Sequence, residues 1–366
     1  MIAFLQIIFI SVVCIQLLYY TLIFSRFAFG KESKKENHKL FVSVIIAAKN
    51  EAENLKQNLD YFIKQDYPNF ELILINDNST DDTLKILTDF KKEHHSYSIS
   101  VIDINNQTNG NKKHALTKGI AQAKSDFLLF TDADCIPNSK NWIRNMSSHF
   151  TKNKAIILGY GAYKKIPNSF LNKIIRFETL LTALQYFSYA QTGLTYMGIG
   201  RNIAYNKQLF LKENGFESHK HIRSGDDDLF INQVATKNNV TICYDKDSFT
   251  ISKPHTSLKK WLKQKRRHIT TATHYKPIHQ LLLGLFYLTQ FLFWTIGFFL
   301  LSTLIWQKIA ILMSIRIGMQ YLIFGFATKK LNEKDLFIFT PILEVILIYT
   351  QLYIFLANSI QKPKTW

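Results

Sequence analysis

Apolar positions follow two regimes along this chain: long uninterrupted runs near both ends, and short β-branched runs alternating with helical patterns between them. Residues 1–24 contain no Lys, Arg, Asp or Glu, and about 20 apolar residues suffice to cross a bilayer core as a helix. The run lacks the basic start, short apolar centre and small-residue cleavage site of a signal peptide, so it reads as a retained anchor. Residues 281–305 and 336–356 read as further spans, and 309–327 as a shorter one, giving two to three C-terminal transmembrane helices. Arg316 lies near the centre of 309–327 and Glu344 within 336–356. Charges at that depth either pair with each other or with interfacial water, or line a substrate path.

Between the ends, 41–47 is an apolar, β-branched run of the kind that forms a strand buried on both faces. A helical pattern through Leu55, Leu59 and Phe62 follows, and Tyr67, Pro68 and Asn69 break it before a second apolar run at 70–75. The alternation recurs with helix 83–90, strand 98–102, helix 113–123 and strand 127–130. Repeated βαβ units predict a mostly parallel, Rossmann-like sheet with ligands at the carboxyl ends of its strands. Glu51 follows the first strand, Asp77 the second, and Asp132 and Asp134 the fourth, so carboxylates are expected along one rim.

Charge narrows the class. With 45 Lys+Arg against 27 Asp+Glu, the net charge of +18 calls for an anionic partner, and the long uncharged runs favour a membrane setting over nucleic acid. Arg26, Lys31, Lys34, Lys35 and Lys39 follow the first run, and Lys329, Lys330 and Lys334 lie between the last two. Both clusters place the middle region in the cytoplasm of a bacterial inner-membrane type of protein. The cysteines Cys14, Cys135 and Cys243 have no C-x-x-C spacing and read as small buried apolar side chains in a reducing compartment.

Six ordered stretches resemble the family-2 glycosyltransferases: Ala47-Ala48-Lys49-Asn50-Glu51, Asn76-Asp77-Asn78-Ser79-Thr80-Asp81, Lys112 ahead of Ala115-Leu116, Thr131-Asp132-Ala133-Asp134, Gly225-Asp226-Asp227-Asp228-Leu229 and Gln264-Lys265-Arg266-Arg267-His268. The resemblance implies a GT-A fold and a metal-dependent transfer from a nucleotide sugar, UDP-linked, to a membrane lipid or growing glycan. It makes Asp134 the direct ligand of Mg²⁺ or Mn²⁺, with Asp132 towards the ribose or metal water. Asp77 would accept a hydrogen bond from the base, Glu51 and Lys112 would line the nucleotide pocket, and Gln264 would contact the donor. Asp226, aligned through Asp228 and Leu229, becomes the general base of an inverting displacement, and Arg267 a guanidinium fork for the diphosphate. Gly225 stands where the family often has Glu, and His268 where it has Trp. Gly198, Gly200 and Asn202, with His268, mark the acceptor region.

The domain pattern expected is an anchor at 1–25, a GT-A domain at 40–255, a basic amphipathic segment at 256–280 and transmembrane helices at 281–358. Leu258, Trp261, Leu262 and Ile269 line an apolar face amid six basic residues, as in a helix lying on an anionic leaflet. Phe170, Ile174, Ile175, Leu181 and Leu184 mark one face of another helix. A processive polysaccharide synthase, a nucleotidyltransferase and a nucleotide-sugar-binding scaffold are the competing readings. The modest number of spans favours single addition, and a nucleotidyltransferase leaves the 225–229 carboxylates unexplained.

Overall fold

The computed structural model describes residues 1–32, 36, 39–105, 111–222 and 224–361, so Lys34 and Lys35 lie outside the described residues. The chain divides into two compact units: residues 32–164 with 193–254, and residues 1–31, 165–192 and 255–366.

The first unit is built on a seven-stranded sheet. Its strands are β1 (Val42–Ala48), β2 (Phe70–Asp77), β3 (Ile99–Ile104), β4 (Phe127–Asp132), β6 (Ile156–Leu158), β8 (Ile203–Asn206) and β9 (Val240–Ile242), in the order β3-β2-β1-β4-β8-β6-β9. β3, β2, β1 and β4 run parallel, as the βαβ pattern predicts. β8 runs antiparallel to both β4 and β6. Val44, Ile46, Leu72, Leu74 and Leu129 are fully buried, consistent with strands covered on both faces. A second sheet joins β5 (Cys135–Pro137), β10 (Thr250–Ser252) and β7 (Gly161–Tyr163), and lies just beyond the end of β4.

Register sets the rim. Ala48 of β1 pairs with Asn76 of β2, and Ala47 with Asp132 of β4, so the residues that follow these strands emerge side by side. Two of the three loops are tied together: Asn50 N–H donates to Ser79 Oγ at 3.0 Å, and Thr80 N–H donates to Asn50 Oδ1 at 2.8 Å. Asn50 and Asn78 both adopt positive φ (56° and 52°), a conformation Asn tolerates better than most residues and one that turns the chain sharply off each strand.

Among the described residues, the other unit holds four helices long and apolar enough to cross a membrane: Ile2–Phe29, Pro277–Leu301, Trp306–Lys330 and Lys334–Ile360. The third exceeds the 309–327 expected for it, and the second ends before residue 305. Arg316 is wholly buried and forms a two-pronged ion pair with Glu344 at 2.7 and 2.8 Å, which settles the sequence alternatives in favour of pairing. Gln16 from the first helix accepts from the same guanidinium at 2.9 Å, and Gln290 and Trp294 donate to Glu344. Lys330 Nζ donates to Phe27 O at 2.6 Å, tying the end of the first helix to the end of the third.

One helix differs from its sequence reading. Phe170–Thr192 interrupts the chain between β7 and β8 yet belongs to the membrane unit, and it buries residues around most of its circumference rather than along one face. Its Arg176 donates to Glu333 at 2.9 Å and to Asp335 at 2.6 Å. In the basic helix Leu258–His268, Trp261 is buried, Arg266 donates to Asn358 Oδ1 at 2.8 Å and Lys265 pairs with Glu178 at 2.5 Å. Its apolar face is divided, with Trp261 buried, Leu262 and Ile269 partly buried and Leu258 exposed beside exposed Lys259, Lys260 and Lys263.

Candidate active site

The rim of the parallel sheet brings two of the expected carboxylates, Asp132 and Asp226, onto one ammonium group. Lys112 opens the helix Lys112–Gln122, whose start is capped by Asn111 accepting from Lys113 N–H. Its Nζ lies 2.8 Å from Asp132 Oδ1 and 2.9 Å from Asp226 Oδ2. Burial alone would lower the lysine's pKa, but Asp132 and Asp226 outweigh it and hold the group charged, well above its usual value. One cation thus bridges the D-x-D loop and the 225–228 loop, which lie 94 positions apart in sequence.

Asp134 is half-buried, and burial together with the neighbouring Asp132 pushes its pKa up, with Arg201 pulling the other way. Cys135 Sγ donates to Asp134 Oδ1 at 3.3 Å. Burial also raises Glu51, against the hydrogen bond it accepts from Asn54 at 2.6 Å, and Asp134 and Asp132 add to the rise. Asp132 and Asp134 thus repel Glu51 across the rim, Asp132 repels Asp134, and carboxylate oxygens are the donors a hard divalent cation prefers. Asp77 closes the other side, accepting from Asn111 N–H at 3.1 Å, and burial raises its pKa as well.

The three adjacent aspartates separate by contact. Asp226 reaches Lys112. Asp227 Oδ2 accepts from Gly200 N–H at 2.5 Å and its Oδ1 from Asp228 N–H at 2.8 Å, so it braces the loop and caps the helix Asp228–Val234. Burial, Asp226 and Asp228 push Asp227 up to about 8. Asp228 Oδ1 accepts from Leu229 N–H at 2.7 Å within that helix. Gly225 holds φ +94°, and a Cβ there would stand 2.4 Å from Leu229 Cδ1. Gly225→Ala is therefore expected to destabilise the protein by about 1–3 kcal/mol from backbone strain alone, read as a lowered Tm together with lost activity.

The expected acceptor residues divide. A Cβ on Gly200 would sit 3.3 Å from both Asp227 Oδ2 and Lys112 Nζ, so its backbone borders the ion cluster. Gly198 instead lets Ile203 and Leu158 pack against the chain. Asn202 is wholly buried: its amide nitrogen donates to Tyr160 O and Ser248 O, and its oxygen accepts from Trp142 Nε1. That corrects the acceptor contact expected of Asn202, because no polar atom of its side chain faces solvent. Gln264 and Arg267 belong to the helix Leu258–His268 of the membrane unit, and the side chain of His268 lies outside the described residues.

Two residues escaped the sequence reading. Lys113 is buried and donates to His219 O at 2.7 Å and Ile222 O at 2.9 Å, fastening the segment that leads into Gly225. Burial pulls its pKa down to about 8. Arg201 stacks over Tyr163 at 4.4 Å and donates to Ser252 Oγ at 3.3 Å, bringing a fixed positive charge beside Asp134. A basic side chain following the glycine-bearing stretch was the only sequence signal for it.

Residues 43–212 match the protein family described as glycosyl transferase family 2. The chain is 36% identical over 95 residues to the poly-beta-1,6-N-acetyl-D-glucosamine synthase of Staphylococcus epidermidis, covering 26% of this chain and 22% of that protein. It is 27% identical over 193 residues to the glycosyltransferase AglE of Haloferax volcanii, covering 51% and 59%. Each alignment thus spans less than two thirds of the relative. Among solved structures, the mannosyltransferase PcManGT of Pyrobaculum calidifontis, in complex with GDP-Man and Mn²⁺, superposes with a TM-score of 0.59 at 18% identity, covering 93% of this chain and 99% of that one. That likeness concerns the fold, and it agrees with the GT-A arrangement the sheet displays.

Proposed function

Because the chain belongs to the family-2 glycosyltransferases through its domain at residues 43–212, we propose that it transfers a single sugar, with inversion, from a nucleotide-sugar donor to a membrane lipid or glycan at the cytoplasmic face. The observation that carries this reading is the Lys112 bridge: the D-x-D carboxylate Asp132 and the proposed base Asp226 both lie within 3 Å of one ammonium group. Donor diphosphate and acceptor hydroxyl would then meet at one point on the rim.

Asp134 and Asp132 are the residues proposed to hold Mg²⁺ or Mn²⁺, which when bound would offset the diphosphate charge and stabilise the departing nucleotide. Asp77 and Glu51 would bind the nucleoside, with Asp77 positioned by Asn111 N–H to accept from the base. Lys112, held charged, would orient Asp226 and attract the anionic donor. Asp226 would take the proton of the acceptor hydroxyl as that oxygen attacks the anomeric carbon. No second carboxyl group is needed to protonate a leaving alkoxide, in contrast to glycosidases. On motif resemblance alone, Gln264 and Arg267 are assigned to the donor and His268 to the acceptor.

The test is to incubate membranes containing the protein with a panel of nucleotide sugars and either Mn²⁺, Mg²⁺ or chelator, identifying labelled products by mass spectrometry. A single-sugar adduct on lipid or glycan that disappears in chelator is expected. A ladder of products would replace single addition with processive synthesis. Release of pyrophosphate would replace sugar transfer with nucleotidyl transfer, and binding without any product would leave a scaffold.

The cytoplasmic orientation is supported by Lys31 and Lys39 after the first helix and by Lys329 and Lys334 near the end of the third. A cysteine placed at exposed Lys124 should react with a membrane-impermeant maleimide only after cells are opened. Labelling in intact cells would reverse the topology.

A further inference from the structure

Glu32, His149 and Cys243 come from three separate segments of the catalytic unit: the approach to β1, the turn after the helix Trp142–Ser147, and the residue following β9. Their ligand atoms all lie within 4.8 Å of one another, with His149 and Cys243 buried and Glu32 partly so. None of the three belongs to the rim described above.

We propose that these residues bind one Zn²⁺ as a structural site, with water in the fourth position. In tetrahedral zinc centres, bonds of about 2.1 Å to nitrogen and oxygen and about 2.3 Å to sulfur set ligand-to-ligand edges of about 3.4 to 3.6 Å. His149 Nε2 and Glu32 Oε1 stand 3.5 Å apart, the length of one such edge. The donor types select the metal: a thiolate with an imidazole suits zinc, whereas Mg²⁺ and Ca²⁺ prefer oxygen alone. Charge balance favours burial, because Zn²⁺ with one thiolate and one carboxylate is neutral. Binding displaces the Cys243 thiol proton to solvent, so affinity rises with pH. Glu32 is also aimed in advance, since its Oε1 accepts from Tyr244 N–H at 2.9 Å and Asp245 N–H at 3.1 Å, the two residues that follow Cys243. Partners of that kind orient metal ligands and tune their affinity. With the side chain of Glu32 20% exposed, water can reach the fourth position. The ion would fasten the chain at residue 32, where it enters the catalytic unit, to the edge strand β9.

The test uses the full-length protein in detergent, isolated without chelator and carrying Asp134→Asn to disable the D-x-D rim. About one zinc per chain is expected. Replacement by Co²⁺ should give a thiolate-to-metal charge-transfer absorption that Cys135→Ser keeps and Cys243→Ser or His149→Gln removes. Zinc should raise the Tm of the parent protein and leave that of Cys243→Ser unchanged. Protein isolated without zinc that also shows no charge-transfer band on adding Co²⁺ would overturn the proposal, as would a band retained in Cys243→Ser. Should Cys243→Ser fail to fold, the zinc content and cobalt spectrum of the Asp134→Asn protein decide alone. No arm of the test depends on sugar transfer.

Discussion

Asp226→Asn is expected to cut turnover by about 10²-fold or more while leaving donor affinity near that of the parent enzyme. Asparagine keeps the shape of the side chain and removes its ability to take a proton. Asp226 is nearly buried and contacts Lys112 at 2.9 Å, so the substitution changes one contact of the rim without opening a cavity. Asp227→Asn and Asp228→Asn test different structure. Asp227 accepts from Gly200 and Asp228 N–H groups and braces the loop, so its loss should lower stability and acceptor binding before it lowers the chemical step. Single-turnover rates and calorimetric donor titration separate these effects. A near-normal rate in Asp226→Asn with a dead Asp227→Asn would move the base by one position, and a retained anomeric configuration in the product would remove the single-displacement mechanism.

What the sequence made legible here was whatever repeats over a window long enough to carry a period. β1, β2 and β4 are unbroken apolar runs closed by polar residues, so position in the sequence alone puts their carboxyl-end acids on one rim. The three-residue strands β5, β6, β7, β9 and β10 are too short for any periodicity, and their pairing is non-local: β10 joins β5 and β7 across more than eighty positions. Antiparallel β8 followed a long helix that belongs to the other unit, which hid its place beside β4. Within the site, carboxylates at strand ends were visible because position alone puts them at the rim. Lys113 was not, because its role rests on two backbone carbonyls more than a hundred positions away. Asn202 was misassigned for a related reason: a polar residue beside glycines looks solvent-facing until its three buried partners are seen.

In the membrane unit, the same pair of charges that sequence left ambiguous should give the largest stability effect in the molecule. Glu344→Leu would leave the Arg316 guanidinium wholly buried and facing, among the described residues, the neutral partners Gln16, Gln320 and two aromatic rings. Removing one member of a buried ion pair costs about 3–5 kcal/mol, because the remaining charge keeps its desolvation penalty and loses its counter-charge. A neutral amide offsets little of that at hydrocarbon depth. Glu344→Leu is therefore expected to abolish the folded protein in mild detergent, seen as loss of the monodisperse peak in fluorescence size exclusion. The double variant Arg316→Met with Glu344→Leu should recover most of it, since apolar side chains of similar volume need no counter-charge and replacing both partners is often neutral or better. Gln290 and Trp294 lose an acceptor in both variants, so any shortfall in the double measures those hydrogen bonds rather than the charge. Equal instability of single and double variants would show that the network is held by its hydrogen-bond geometry. A fully stable Glu344→Leu would show that water or lipid headgroups reach Arg316 and that the helices pack without the pair.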